Sequence, residues 1–422
     1  MAKTRTSSVR FPNDGLVEIP YDIYTDPDLY KAEISKIYRG ATWNYICLAA
    51  QIPNHGDFIT SYVGETPVIA TRDREGSIHV MENRCSHRGA LVCLKNKGNA
   101  KLLSCVYHSW TYKLDGSLHG VAFENGVGGK GGLSEAFNKA TNGLKRLKVT
   151  EFCGLVFATY SDETLDFETY VGPEIANHIR SILSKPLVYL GRNVQVLPNN
   201  WKIYNENLRD SYHASLLHTF FNTFKLNRLS QEGGIVVGAG GGSHISYGKS
   251  KTGVDHEGYK AEGIHSLKDM QLKDPSLLDA LDESGEGMTT RILSVFPSLG
   301  LQCHYNSIAI RQVLPKGVGE TELVWNHVGF VDDDEAMRER RLKQSNLVGP
   351  AGYISMEDGC IGGFVQQAIR GVSGEVGIVP MGVSGEVGIV PMGGSGTEST
   401  DARATEVSIR GFWRAYRDYM GM

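Results

Sequence analysis

The strongest constraint on the fold of this chain is a pair of short motifs that combine cysteine with histidine. The first is C-x-H at residues 85–87, and the second is C-x-x-H at residues 105–108. Each motif lies where a run of β-forming residues ends, so the two loops can face each other. The donor set predicts a shared metal centre with its ligands on Cys85, His87, Cys105 and His108.

Two kinds of centre use two thiolates and two imidazoles. One is a tetrahedral zinc site, and the other is a [2Fe–2S] cluster in which two histidines replace two cysteines on one iron. Zinc sites usually separate paired ligands by two to four residues, which the C-x-H motif does not match. The spacing therefore favours the cluster, with Cys85 and Cys105 on one iron and His87 and His108 on the other. Trp110 lies just after the second motif and either shields the cluster from water or is an ordinary core residue.

A second group of candidate ligands lies in a stretch that reads as one helix from Trp201 to Phe221. His213 and His218 lie five residues apart, which on an ideal helix turns them about 140° from each other. A π-bulge would bring both side chains into line, so we expect one here if both bind a single ion. Asp210 lies one turn before His213 on the same face, where it is better placed to accept an imidazole N–H than to bind metal.

An oxygen ligand for this second site must come from another part of the chain. The sequence SMEDG at residues 355–359 offers two adjacent carboxylates, Glu357 and Asp358. Asp358 is the preferred ligand because the glycine after it allows close approach of the backbone. Two imidazoles and one carboxylate with open positions form the facial triad of non-haem Fe(II) oxygenases. Two histidines in a helix are more often a core or surface pair, but an electron-carrying cluster on the same chain favours the metal site.

The pattern along the sequence predicts an α+β chain in three parts. Residues 1–38 are a lead-in with a short amphipathic helix, and we expect it to pack on the third part. Residues 39–160 contain short β runs separated by turn residues, which predicts a small all-β domain. Residues 161–422 mix helices with strands and predict an antiparallel sheet with helices.

Composition excludes several classes of protein. The formal charge of −4 and the lack of a basic block argue against nucleic-acid binding. No apolar run is long enough for a membrane helix, and the first residues lack the apolar core of a secretory signal. The 7 cysteines are an odd number, which does not indicate a disulfide framework. We therefore expect a cytoplasmic protein.

One segment near the end of the chain is duplicated. The 11 residues GVSGEVGIVPM at 371–381 occur again without change at 382–392. A single tandem of this length is too short for a solenoid. We interpret it as a duplicated loop segment, which is tolerated because the entropy of loop closure grows slowly with length.

The two metal motifs together make the chain similar to the large (α) subunits of Rieske non-haem iron ring-hydroxylating oxygenases. The resemblance covers nearly the whole chain except for residues 371–400, and ENRCSHRGAL, CVYHSWTY and NLVGPAGYISMEDG are among the segments that carry it. It implies a Rieske domain and a helix-grip-like catalytic domain. It also implies a cluster on the four residues named above and iron on His213, His218 and Asp358.

The resemblance also implies an assembly and a route for electrons. Members are trimers of the α subunit, often with a small β subunit, and a separate reductase supplies electrons from NAD(P)H. Asp210 would link His213 to a cluster histidine, His87 or His108, of the neighbouring subunit. No dinucleotide fingerprint is present in this chain, because GAGGGSH lacks the required strand–helix context, so NAD(P)H is expected to bind the partner.

Within the family, the sequence is most similar to members that act on aromatic carboxylates, with terephthalate the preferred substrate and cis-dihydroxylation the preferred reaction. In NSIAIRQVLP, strand alternation puts Arg311 on one face with Ala309 and Val313. A guanidinium on an apolar face is costly unless it is paired, and a substrate carboxylate is one possible partner. The resemblance points to Arg311 and Arg403 as the carboxylate holders. An internal ion pair at Arg311 and a solvated charge at Arg403 are the alternatives.

Other functions remain open from the sequence. Within the same family, the chain could act on anthranilate, or could add a single hydroxyl group as enzymes that act on salicylate do. A Rieske electron carrier without oxygenase activity is an alternative of another class, but it would need only the all-β domain. A zinc-stabilised binding protein is a further alternative.

Overall fold

The computed structural model describes residues 9–12, 16–224, 232–249, 272–379 and 404–422. The chain divides into two compact units. One is Tyr38–Thr164, and the other joins the residues before Tyr38 to Leu165–Met422. None of the helices in these ranges is both long enough and apolar enough to cross a membrane.

The strands, in chain order, are β1 (Glu18–Pro20), β2 (Asn44–Leu48), β3 (Asp57–Val63), β4 (Thr66–Arg72), β5 (Ile78–Glu82), β6 (Lys97–Asn99), β7 (Leu103–Ser104), β8 (Thr111–Tyr112), β9 (Leu118–Gly120), β10 (Arg146–Phe152), β11 (Leu155–Thr159), β12 (Leu187–Leu197), β13 (Glu232–Val237), β14 (Ser243–Lys249), β15 (Met288–Val295), β16 (Leu299–His304), β17 (Ser307–Gly317), β18 (Glu320–Phe330) and β19 (Val376–Ile378). The α-helices are α1 (Pro27–Glu33), α2 (Phe167–Val171), α3 (Pro173–Ile182), α4 (Trp201–Arg209), α5 (Ala214–Leu217), α6 (Thr219–Thr223), α7 (Glu335–Val348), α8 (Ser355–Ala368) and α9 (Val407–Met420).

The unit Tyr38–Thr164 is a β structure. Seven strands form one sheet in the order β2-β11-β10-β5-β4-β3-β6, and three form a smaller sheet in the order β7-β8-β9. Tight turns join neighbouring strands, as between β10 and β11, where Cys153 and Gly154 have φ values of 51° and 79°. A two-residue hairpin with both φ values positive matches the twist of the strands that it connects.

The other unit contains a seven-stranded antiparallel sheet in the order β12-β18-β17-β16-β15-β14-β13. The registers of β14 to β17 place Ser246, Ile292, Gln302 and Arg311 on one face, because residues directly opposite each other share a face. Helices accompany the sheet, so the predicted fold class is confirmed: α+β, with a small β domain and a catalytic-type domain of antiparallel sheet and helices.

Two stretches whose apolar spacing is typical of a single helix are interrupted. The stretch at 167–183 forms α2 and α3, which are separated by Gly172 with a φ of 86°, a value that favours glycine. The stretch at 201–221 is not one helix, because α4 ends at Arg209. The amphipathic pattern of residues 404–420 also predicts a helix, which is present as α9.

A buried ion pair anchors helix α4, which leads into the second group of candidate ligands. Lys202 Nζ lies 2.6 Å from Glu33 Oε1, and neither side chain is exposed. The same carboxylate accepts hydrogen bonds from Trp201 Nε1 at 2.9 Å and from the Tyr416 hydroxyl at 2.6 Å. Because every partner is buried, this network holds α1, α4 and α9 in one arrangement.

The first copy of the duplicated segment contributes a strand. Its residues Val376–Ile378 pair with β1, and Asp22 accepts hydrogen bonds from the Ser373 hydroxyl and the Gly374 amide, both at 3.1 Å. Part of this copy is therefore a strand and not a loop, because it has a free strand edge to pair with. The second copy lies outside the described residues.

Deleting residues 382–392 is expected to leave the fold intact. The copy that remains has the same sequence and keeps every contact with β1. Shortening a connection by 11 residues changes the free energy of loop closure by less than about 1 kcal/mol. The thermal unfolding midpoint of the deletion variant should lie within about 4 °C of that of the full chain. A much larger fall would mean that the second copy makes stabilising contacts of its own.

Candidate metal centres and substrate cavity

The loop that carries His213 and His218 is formed by two interruptions of the predicted helix. Asp210 ends α4 with an extended backbone, and its Oδ1 accepts the amide N–H groups of Tyr212 at 2.8 Å and His213 at 3.3 Å. Such a side-chain turn competes with the helical hydrogen bonds. His213 then begins the short helix α5, and His218 ends it in an extended conformation. The predicted π-bulge is therefore wrong, because turns and not a bulge bring the two histidines together.

Asp358, in the first turn of α8, completes a three-residue site. Its Oδ1 lies 3.3 Å from His213 Nε2 and 3.4 Å from His218 Nε2. One donor atom from each residue lies within 4.8 Å of the others. Two metal–ligand bonds of about 2.1 Å that meet at roughly 100° would separate their donor atoms by about 3.2 Å. The residues present therefore fit one metal ion, and the donor set is the one that non-haem Fe(II) uses.

The residues around the three ligands hold them in place. Asn207 Nδ2 donates a hydrogen bond to Asp358 Oδ1 at 3.3 Å. Asp210 Oδ2 lies 3.2 Å from His213 Nδ1, although the two atoms are not aligned as a hydrogen bond. Sequence reasoning treated Glu357 as a rival metal ligand, but its carboxylate faces the other side of His218, 3.0 Å from Nδ1.

The local charges shift the pKa values of the three ligands in different directions. Burial alone would raise the pKa of Asp358, but the close contact with His213 and the nearby positive charges of the histidines and Arg311 hold it below its usual value. Burial lowers the pKa of His218. Burial also lowers the pKa of His213, but its contacts with Asp210 and Asp358 outweigh this effect and raise it to about 9. Asp358 is thus ionised at neutral pH, which is the form that binds a metal ion.

A cavity with an empty volume of about 480 Å³ opens beside the three ligands. Its lining combines the metal ligands with apolar side chains and with polar groups from the sheet. Besides the ligands, the lining residues are Asn207, Leu208, Arg209, Asp210, Ser211, Ala214, Ser246, Ile292, Gln302, Arg311 and Ile354.

Arg311 gives this cavity a buried positive charge. Only 3 % of the residue is exposed. Its Nη1 donates to the Tyr204 hydroxyl at 2.7 Å, its Nη2 donates to Gln302 Oε1, and its guanidinium lies 4.6 Å from the centre of the Trp325 ring. Both of these partners are uncharged, no ion pair joins Arg311 to a carboxylate among the described residues, and its Nε has no hydrogen-bond partner. Arg403, the second predicted carboxylate holder, lies outside the described residues.

The C-x-H motif forms a closed loop in the other unit. The amide of Cys85 donates to the carbonyl oxygen of Ala90 at 2.8 Å, and the amide of Gly89 donates to that of Cys85 at 2.9 Å. Gly89 has a φ of 75°. Cys85 is buried and His87 is exposed, so the thiol points into the core and the imidazole lies at the surface.

The C-x-x-H motif repeats this geometry. The amide of Cys105 donates to the carbonyl oxygen of Trp110 at 2.8 Å, and the amide of Ser109 donates to that of Cys105 at 3.0 Å. Ser109 takes the place of the glycine, with a φ of 54°. Cys105 is buried, and the ring of His108 lies 4.7 Å from that of His87.

The surroundings of the two loops fit a cluster with a buried thiolate end and a surface imidazole end. Cys85 and Cys105 are free thiols in the same apolar core. Trp110 is buried in that core and stacks on His87, with ring centres 4.8 Å apart and planes 5° apart. The donor set, two thiols and two imidazoles, is that of a Rieske [2Fe–2S] centre.

Tyr112 is a residue that the sequence analysis missed. Its hydroxyl lies 3.1 Å from Cys85 Sγ and 3.0 Å from Ser86 Oγ. No local motif marked it, because the contact depends on the pairing of β8 with its neighbours. A hydrogen bond to a ligating sulfur raises the reduction potential of an iron–sulfur cluster.

Replacing Tyr112 with Phe is expected to lower the potential of the cluster. The variant loses the hydroxyl next to Cys85 Sγ but keeps the ring in the core. We expect a fall on the order of 50 mV, because a hydrogen bond contributes about 1 kcal/mol and about 59 mV corresponds to a tenfold change in a one-electron equilibrium. A redox titration followed by visible circular dichroism measures it. Tyr107→Phe is the matched control, because Tyr107 is exposed and its hydroxyl contacts Arg88. Equal potentials in both variants would contradict the prediction.

Comparison with known proteins assigns both units to one family. Residues 42–128 match the model of the Rieske [2Fe-2S] domain, and residues 180–422 match the model of the ring hydroxylating alpha subunit, catalytic domain. The chain therefore belongs to the α subunits of the Rieske non-haem iron aromatic ring-hydroxylating dioxygenases. The predicted cofactors are confirmed with it: a Rieske cluster in the first unit and non-haem iron at His213, His218 and Asp358.

Individual relatives include enzymes that act on aromatic carboxylates. The chain is 49% identical over 96% of its length to the terephthalate 1,2-dioxygenase terminal oxygenase component subunit alpha 2 of Comamonas sp., of which 95% is covered. It is 40% identical over its whole length to the anthranilate 1,2-dioxygenase large subunit of Burkholderia cepacia, of which 97% is covered. In fold, it is similar to naphthalene 1,2-dioxygenase from Rhodococcus sp., with a TM-score of 0.76, 20% identity, and 96% and 94% of the two chains covered.

Proposed function

We propose that this chain is the oxygenase component that converts terephthalate, with O₂, to a cis-dihydrodiol. The observation that carries the choice of an aromatic carboxylate is Arg311, a buried guanidinium that lines the cavity and forms no ion pair with a carboxylate among the described residues. The identity of 49% to an enzyme that acts on terephthalate supports the choice of substrate. Arg403 is proposed as the holder of the second carboxylate.

The ligand assignments follow from the two centres. We propose that Cys85 and Cys105 bind one iron of the cluster and that His87 and His108 bind the other. When bound, the cluster and the mononuclear iron supply the two electrons and the O₂-binding site that ring dihydroxylation needs. The reaction adds both oxygen atoms of O₂ to adjacent ring carbons and takes up two electrons and two protons.

The residues of the cavity would hold and orient the substrate. Arg311, already held by Tyr204 and Gln302, presents a fixed positive charge to one carboxylate, which the pairing geometry of guanidinium and carboxylate suits. Apolar side chains from both sides of the cavity accept the ring and exclude water. These side chains are Leu208, Ala214, Ile292 and Ile354.

Electrons would reach the mononuclear site from a neighbouring subunit. Asp210 lies beside His213 with about a fifth of its side chain exposed, so it can contact both His213 and a cluster histidine of a second copy. Exposed apolar residues accompany each centre: Tyr353 and Met356 near the mononuclear site, and Val106 and Tyr107 in the cluster loop. Two different patches that meet between copies form a head-to-tail interface, which gives a ring such as a trimer when the rotation between copies closes.

Three further assignments belong to the same proposal. The assembly would be α₃ or α₃β₃ with a small β subunit, and a separate NAD(P)H-dependent reductase would supply the electrons. The location would be cytoplasmic, which the free cysteines of the described residues support. The chain would divide into a lead-in at 1–38 that packs on the catalytic domain, a Rieske domain at 39–160 and a catalytic domain at 161–422. The compact units and the matched ranges support this division.

A single turnover of chemically reduced protein with terephthalate under ¹⁸O₂ tests the proposal without any reductase. A dihydrodiol that carries two labelled oxygen atoms is the expected product. A product with one labelled atom would replace dihydroxylation by single hydroxylation. If terephthalate gives no product while anthranilate or salicylate does, the proposed substrate is wrong. Protein that contains only cluster iron would support the electron-carrier alternative, which leaves the mononuclear site without a role.

A further inference from the structure

We propose that Glu357 is a positioning residue for the mononuclear iron site. Glu357 orients His218 and thereby raises the affinity of the site for Fe(II). The sequence presents Glu357 only as a competitor of Asp358 for the metal. The inference rests on the iron site at His213, His218 and Asp358, on which the proposed function also depends.

Each oxygen of the Glu357 carboxylate has its own partner. Oε2 lies 3.0 Å from His218 Nδ1. Oε1 accepts the hydroxyl of Thr219 at 2.8 Å and lies 3.4 Å from the Thr219 amide nitrogen. The carboxylate therefore holds both the imidazole of His218 and the backbone that follows it.

This contact selects the form of His218 that can bind metal. An imidazole that donates its Nδ1–H to a carboxylate has its lone pair on Nε2. That Nε2 atom faces the site, 3.4 Å from Asp358 Oδ1. A carboxylate acceptor also makes the imidazole a stronger electron donor, and residues of this kind commonly contribute a factor of about 10 to 100 in metal affinity.

The two histidines of the site are held differently. His213 Nδ1 is buried, and it lies 3.2 Å from Asp210 Oδ2 without the alignment of a hydrogen bond. His218 has the aligned contact with Glu357 and is only 3 % exposed. The orientation of His218 is thus set by α8, the helix that also supplies Asp358. One helical turn provides a ligand and the group that orients another ligand.

The test compares three variants of the full chain. Glu357→Ala removes both contacts, and Glu357→Gln keeps an oxygen acceptor and the shape but removes the charge. Thr219→Val is the matched control, because it removes the hydroxyl that contacts Oε1 and leaves the contact with His218. The dissociation constant for Fe(II) is measured by competition with a chelator. The EPR spectrum of the ferrous nitric oxide complex reports the ligand geometry, and the visible absorbance of the [2Fe–2S] cluster reports folded protein.

We expect Glu357→Ala to weaken Fe(II) binding by about 10- to 100-fold and to change the EPR spectrum. Glu357→Gln should weaken binding less, and Thr219→Val should stay close to wild type. Binding by Glu357→Ala that equals wild type, or an equal loss in Thr219→Val, would overturn the inference. If Glu357→Ala does not fold, Glu357→Gln decides the question. Weaker Fe(II) binding or an altered EPR spectrum in Glu357→Gln supports the role of Glu357. A wild-type dissociation constant together with a wild-type spectrum overturns it.

The outcome for Glu357 is separable from that for the proposed function. Wild-type protein that binds no Fe(II) at this site would remove the proposed function together with the inference. Wild-type protein that binds Fe(II) as tightly as Glu357→Ala does would remove the role of Glu357 alone.

Discussion

Replacing Asp210 with Asn is expected to leave both metal centres in place and to lower product formation by roughly 100-fold, the scale of loss when a reacting geometry is disturbed. The asparagine carbonyl can still accept the amide N–H groups of Tyr212 and His213, so the turn that ends α4 survives. The negative charge beside His213 Nδ1 is lost, and with it the proposed link to the cluster of the neighbouring subunit. Asp210→Ala should show the same loss of product, and it removes the turn as well.

The measurement separates electron transfer from metal binding. Iron and sulfide content give the occupancy of the two centres. Stopped-flow absorbance of pre-reduced protein, mixed with terephthalate and O₂, gives the rate at which the cluster is oxidised. Asp334→Asn is the matched control, since Asp334 caps α7 through the Met337 amide. A cluster that is oxidised at the wild-type rate in Asp210→Asn would remove the bridging role.

Replacing Arg311 with Leu is expected to weaken the binding of terephthalate by about 30-fold or more while iron content stays unchanged. Losing one partner of a buried, hydrogen-bonded charge pair typically costs about 2–5 kcal/mol, and about 1.4 kcal/mol is a tenfold change in affinity. The affinity of Arg311→Lys for terephthalate should lie between those of the wild type and Arg311→Leu, because an ammonium keeps the charge but not the planar fork of donors.

An uncharged ligand provides the control for Arg311. p-Xylene has the ring of terephthalate with methyl groups in place of carboxylates, so its binding should change little in Arg311→Leu. Isothermal titration with both ligands gives the two affinities, and thermal unfolding reports any effect of leaving Tyr204 and Gln302 without their donor. Unchanged affinity for terephthalate would take Arg311 out of the substrate site. Equal losses for the two ligands would indicate a damaged cavity.

Much of the chain could be predicted from local pattern. The strands β15, β17 and β18 follow from apolar and β-branched runs, because such residues suit a pleated surface that is buried on at least one side. The cluster loops follow from the spacing of cysteine and histidine. The alternation in β17 also predicted the face of Arg311, since side chains on a strand alternate with a period of two.

The conformation of the stretch that carries the two histidines could not be predicted in the same way. The residues from Trp201 to Phe221 have helical composition, and nothing in the pattern marks a break at Asp210. The break depends on one side chain that accepts two backbone amides. Hydrogen bonds of this kind compete with the helical hydrogen bonds, and the difference in free energy between the two is small. Composition therefore does not show whether the turn or the helix forms.

The amino-acid sequence by itself determined the kinds of donor atom and the order in which they occur: two thiols and four imidazoles in three short motifs, and a pair of carboxylates far away along the chain. Only the tertiary structure decided what each carboxylate does. Asp358 and Glu357 are neighbours, yet successive residues of a helix point about 100° apart. Because α8 lies beside the histidine loop, the carboxylate of Asp358 faces the Nε2 atoms of the histidines. The carboxylate of Glu357 faces Nδ1 of His218.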